Sequence, residues 1–98
     1  MSNGITYHMS KHSTQLFHYI IRLSKEDSAF FYFQLEASDG LCFYSTLEHP
    51  HHAQYRDLDL KGDILLKEEI DHLLLECGKR FKIEILVDEK ILDKKGIV

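Results

Sequence analysis

LFHYIIRLSKEDSAFFYFQLEA, residues 16–37, changes its hydrophobic period half-way along, and that change decides the fold. In its first half, Phe17, Tyr19, Ile21 and Leu23 alternate with Leu16, His18, Ile20 and Arg22. Alternation is the signature of a strand, and the wholly apolar first set marks the side that meets a packed layer. Ser24 then offers an N-cap, with Glu26 and Asp27 where the helix dipole favours negative charge. Over Lys25 to Ala37, Ala29, Phe30, Phe33 and Ala37 recur near helical spacing, while Phe31, Tyr32 and Leu35 spread apolar surface around much of the circumference. Four aromatics in a row also suit a strand. The cap, together with Ser38-Asp39-Gly40 as a left-handed stop, favours the helix.

Working outward, Leu41 to Leu47 reads as a second strand, with Leu41, Phe43 and Leu47 inward and Cys42, Tyr44 and Thr46 outward. Glu48-His49-Pro50-His51-His52 is a loop by composition. Ala53 to Lys61 is a third strand in which Tyr55 and Leu58 are out of phase, so one turns to the far face or a bulge resets the register. Gly62-Asp63 is a turn. A second helix ends before Gly78 and carries a stripe of Leu66, Ile70, Leu73, Leu74 and Cys77. Phe81 to Val87 is the most regular strand, with Phe81, Ile83, Ile85 and Val87 set against Lys82, Glu84 and Leu86.

The order is strand, helix, strand, strand, helix, strand. It predicts an α+β, ferredoxin-like βαββαβ two-layer sandwich: a four-stranded antiparallel sheet, order 4-1-3-2 because crossovers are right-handed, with both helices on one face. One domain over 16–88 is expected, between a loose arm at 1–15, with a possible extended piece at Ile5 to Met9, and a charged tail at 89–98.

Composition narrows function without fixing it. The formal charge is −4, from 12 basic and 16 acidic residues, which argues against nucleic-acid binding. No stretch has the length of a membrane span, and the first residues lack the apolar core of a signal peptide. Two cysteines, Cys42 and Cys77, fit reduced thiols better than a disulfide scaffold. A cytoplasmic protein is expected. This plan hosts many unrelated activities, so function must be argued from sites.

Leu35-Glu36-Ala37-Ser38-Asp39-Gly40-Leu41, followed by a strand ending near Thr46-Leu47, resembles an uncharacterised family of small bacterial proteins within the broad ACT-like branch of ferredoxin-like domains. The resemblance covers about residues 16–60 and brings no activity, cofactor or catalytic residue. It implies self-association through sheet edges or helices, and small-ligand sensing at the interface. ACT ligand sites use a glycine-containing loop after the first strand. Here that link is Leu23-Ser24-Lys25, without glycine, so amino-acid binding in that mode is not expected.

Three candidate sites follow from the residues. His18, Ile20, Arg22, Cys42, Tyr44, Thr46, Lys82, Glu84 and Leu86 should share the open sheet face, a mixture suited to a homodimer interface or a small-molecule ligand. His49, His51 and His52 with Glu48 have metal-ligand chemistry, but a short loop stiffened by Pro50 needs ligands from elsewhere to close a site. Glu36 and Asp39 are carboxylates at a helix end, better read as a solvated position and a turn residue. No catalytic constellation is found: Ser45 has no evident base, and Cys42 has only a possible cross-sheet His18. A non-catalytic, self-associating interaction or ligand-sensing module is therefore expected, with metal binding at 48–52 as the alternative and no cofactor implied.

Overall fold

The computed structural model describes residues 14–48 and 52–93. Residues 1–13, with the extended piece expected at Ile5 to Met9, His49, Pro50 and His51, and residues 94–98 lie outside them, and the last two residues of the expected arm, Thr14 and Gln15, belong to the first strand. The elements are β1 (Thr14–Ser24), α1 (Lys25–Ala37), β2 (Phe43–Thr46), β3 (Tyr55–Asp63), a 3-10 turn (Ile64–Leu66) running into α2 (Lys67–Gly78), and β4 (Glu84–Asp93). The strands form one sheet in the order β2-β3-β1-β4. All pairings are antiparallel. This is the ferredoxin-like arrangement expected from the sequence. No described helix is long and apolar enough to cross a membrane.

One face of the sheet makes the core. Phe17, Tyr19, Ile21 and Leu23 of β1 and Leu58 and Leu60 of β3 are buried with Phe31 and Leu35 of α1 and Ile70, Leu74 and Cys77 of α2. Both helices thus cover the same side. The stripe on α2 falls as its spacing predicts. That on α1 does not: Ser28, Phe31 and Leu35 point inward, Ala29 and Ala37 are exposed, and Phe33 is 67% exposed. The helix is apolar nearly all round, so the periodicity left its phase open. A small residue, Ser28, fits under the first turn and gives its hydroxyl to the Lys25 carbonyl at 2.7 Å. Phe30 and Tyr32 flank the stripe, against Phe81 and Tyr44. Ser24 caps α1 as expected, accepting from the Asp27 amide at 3.0 Å and donating to its carboxylate at 2.8 Å. Such a cap stabilises a helix by about 1 kcal/mol. Gly40, at φ 79°, takes the left-handed conformation that ends it.

Strand limits and phases differ from expectation in three places. β3 runs in unbroken register against β1, so Tyr55 does turn to the far face and no bulge is needed there. The bulge is in β4, where Ile20 pairs with Val87 but Ile21 pairs with Ile85, leaving Leu86 as the extra residue. β4 also starts later than expected, because the chain is still leaving α2 at Phe81, whose amide donates to the Cys77 carbonyl at 3.1 Å. It continues to Asp93, so much of the expected tail is strand. β2, finally, has its faces exchanged. Tyr44 and Thr46 pair with Leu60 and Leu58 on the helix side, and Phe43 is 85% exposed. Leu41 is buried, but in the turn before the strand, where its amide donates to the Ser38 carbonyl. Counting alternation from Leu41 inverts the strand.

Candidate functional site

The open face of the sheet is held by charge pairs. On β1, His18, Ile20 and Arg22 point away from the core as expected, because their neighbours in sequence are buried. His18 meets carboxylates of both flanking strands, and Arg22 meets one on β3. Nε2 of His18 lies 3.0 Å from Asp59 of β3, and Nδ1 lies 2.6 Å from Glu89 of β4. A neutral imidazole carries one N–H, so both contacts are donor bonds only in the protonated ring. Arg22 makes a two-pronged bond to buried Asp57, Nε to Oδ1 at 2.8 Å and Nη2 to Oδ2 at 2.9 Å. Its guanidinium also covers the ring of Tyr55 at 4.1 Å. The Asp57 bond holds the Arg22 pKa above its usual value, and Glu84 adds to the field.

The pairing was legible in part. Asp57, Asp59 and Lys61 alternate with Leu58 and Leu60. That period of two announces a charged outer face on β3, opposite the cations of β1. Their partners in β4 were missed because the expected strand stopped short of Glu89.

Of the other residues assigned to this face, Glu84 is opposite Arg22, Leu86 is the bulged residue and is 43% exposed, and Lys82 lies exposed in the link before β4. Tyr44, Thr46 and Cys42 do not belong to it. Tyr44 donates its hydroxyl to Glu36, and its ring lies 5.4 Å from that of Tyr32, whose own hydroxyl is bonded to Thr46. Glu36 is thus engaged by β2 rather than merely solvated, and the Tyr44 pKa is raised chiefly by that carboxylate. Cys42 is half-buried, and burial pushes its thiol pKa up to about 11. Both ring nitrogens of His18 go to carboxylates and neither to Cys42. Few thiolates exist at neutral pH under those conditions.

In the histidine loop, Glu48 and His52 are exposed, while His49 and His51 lie outside the described residues. Among the described residues, no group of three or more His, Cys, Asp or Glu side chains is arranged to hold a metal ion. His18 bridges Asp59 and Glu89 rather than converging with them on a point.

A second feature had no sequence signal. Between α2 and β4 runs a groove of about 430 Å³, lined chiefly by Leu74, Leu75, Ile83 and Ile85. It exists because β4 is an outer strand that α2 covers incompletely. Leu75 is 61% and Ile85 51% exposed. Tyr19 and Asp71 also line it, and Lys67 bonds to both. Tyr19 donates to Asp71, and the Lys67 ammonium donates to the Tyr19 oxygen at 2.8 Å and to Asp71 at 2.9 Å. Burial, then Asp71, raises the Tyr19 pKa. Lys67 is held above its usual value by bonds to Tyr19 and Asp71. The phenol stays neutral and the ammonium charged at neutral pH, so this is a satisfied polar plug rather than an activated base.

Leu86 and Leu92 extend the exposed apolar surface along β4, and Leu92 is 54% exposed. Phe33 of α1, Phe43 of β2 and Leu65 of the 3-10 turn are exposed as well. Comparison of the chain with family models, curated proteins and solved structures gives no match.

Proposed function

We propose that the protein is a small, non-catalytic interaction module that works in the cytoplasm as a self-associated assembly and senses a small apolar ligand beside the interface. In this reading it belongs to the ACT-like branch of the ferredoxin-like plan. One observation carries the reading: Leu75 and Ile85 are exposed at the groove, and Leu86 and Leu92 are exposed on the same outer strand. Isolated exposed leucines are ordinary, but an apolar group along one flank is characteristic of a contact surface. A domain of this size also buries a modest share of its surface alone and is stabilised by covering more.

The open face supports the same assignment indirectly. Its basic side chains are already bonded to protein carboxylates, which favours a structural role for His18 and Arg22. Sedimentation equilibrium of the full chain over a wide concentration range tests the reading. A mass rising to that of a dimer is expected. A strict monomer at the highest concentration contradicts self-association.

A further inference from the structure

We propose that two copies join through β4, antiparallel, about a two-fold axis that passes through Glu89. This rests on the self-association reading above and specifies its surface. The occupant of the edge is a second copy of this chain, selected by complementarity along a single strand.

β4 is the last strand of the sheet, so among the described residues its outer edge has no strand beside it. The other outer strand, β2, has 4 residues, whereas β4 has 10 and offers a far longer ladder. A two-fold axis that brings the same edge of two sheets together antiparallel stands perpendicular to the sheet. Directly opposed residues in an antiparallel pair share a face. The axis must therefore pass through a residue, not between two, which leaves few registers.

An axis at Asp88 opposes two aspartates and sets Lys90 against Leu86. One at Lys90 opposes two ammonium groups, and sets Asp88 against Leu92 and Glu89 against Ile91. At Val87 the axis would set Ile85 against Glu89 and Leu86 against Asp88, and at Ile91 it would set Glu89 against Asp93. Each of these sets a charged residue against an apolar one in the pairs beside the axis.

The axis at Glu89 differs from all of them. Asp88 meets Lys90 of the second copy, and by symmetry Lys90 meets its Asp88. Val87 meets Ile91 twice. Leu86 and Leu92, both substantially exposed, come together beyond the charges. The register also keeps the faces consistent: Asp88 and Lys90 pair with Tyr19 and Phe17 on the helix side of β1, while Val87, Glu89 and Ile91 pair with Ile20, His18 and Leu16 on the open side.

Two Glu89 carboxylates then face each other at the axis. Each is already held at 2.6 Å by His18 Nδ1 on its own β1, which ties it to its own sheet. The result is one continuous sheet with all helices on one side. The groove behind Ile85 then lies beside the join.

Charge exchange tests this register. Lys90→Asp places two acids opposite each other twice, and dimerisation should weaken on the order of tenfold to a hundredfold. Asp88→Lys combined with Lys90→Asp restores both pairs and should recover the wild-type constant. Asp88 and Lys90 are exposed, so the variants should keep the wild-type circular dichroism and melting temperature, measured alongside. Glu89→Cys gives an independent reading. Directly opposed residues lie within disulfide range, so mild oxidation should yield a linked dimer that wild type, carrying Cys42 and Cys77, does not form. A dimer indifferent to Lys90→Asp, with no linkage at position 89, overturns this register but leaves self-association standing. A chain that never dimerises overturns both.

Discussion

Replacing Phe31 by alanine should destabilise the protein by about 3–5 kcal/mol, while replacing Phe33 in the same helix should change stability by no more than about 0.5 kcal/mol. Phe31 is fully buried in the centre of the core, whereas Phe33, two residues on, is 67% exposed. The first loss combines transfer of an aromatic ring to water with a cavity that neighbouring Phe17, Leu58 and Ile70 cannot fill without moving. Against a total stability of about 5–15 kcal/mol for ordinary domains, the Phe31 variant stands near the limit of folding. Urea titration of both variants checks the pair, since the midpoint should fall steeply for one and hardly move for the other. Equal losses, or a reversed order, would mean that α1 is rotated on the sheet.

Gly62→Ala should be the second large loss, about 2–3 kcal/mol. Gly62 pairs with Phe17 across the β1–β3 ladder. A Cβ there would lie 2.5 Å from Cζ and 2.7 Å from Cε2 of Phe17, and 2.8 Å from the carbonyl oxygen of Leu41. The ring can tip aside at a cost to packing, but the Leu41 carbonyl is backbone and yields less. A double-mutant cycle separates the two contacts. In a Phe17→Leu background the alanine should cost less than in wild type, with a coupling of about 0.5–3 kcal/mol, yet still cost something because Leu41 remains. Additive losses would show that the ring does not close over Gly62.

Much of the architecture was legible from residues 16–37 because two different hydrophobic periods meet at a residue that can cap a helix. α2 was equally legible: its stripe is narrow, so spacing fixed its phase. α1 was legible as a helix but not in rotation, because seven apolar positions around one cylinder give periodicity little contrast. β2 failed in phase for a local reason. Its first inward leucine, Leu41, is buried by the turn at Gly40 and is not part of the strand's alternation.

β4 shows a different limit. Alternation from Phe81 to Val87 looks continuous, yet Phe81 closes the exit from α2 and Leu86 is the extra residue of a bulge. A bulge inserts one residue without a sequence marker, and everything beyond it changes face. Asp88 to Leu92, three charged residues followed by two apolar ones, carries no alternation of its own and did not read as strand.

The candidate site was visible only in pieces. His18, Ile20 and Arg22 could be placed from β1 alone. Their partners Asp57, Asp59 and Glu89 required the registers of two other strands, which single-strand periodicity does not supply. The groove was not legible, since it depends on how far α2 reaches across β4, and nothing in either segment encodes that distance.

The central claim is that helices gathered on one side leave β4 as an edge for another copy. Amide hydrogen exchange of the full chain, followed residue by residue at low and high protein concentration, tests it most directly. Alternate amides of Val87 to Ile91 point away from β1 and should gain protection as concentration rises, while those of Phe43 to Thr46 on the opposite edge should not change. Protection at 87–91 that is independent of concentration, or a gain confined to β2, would contradict it.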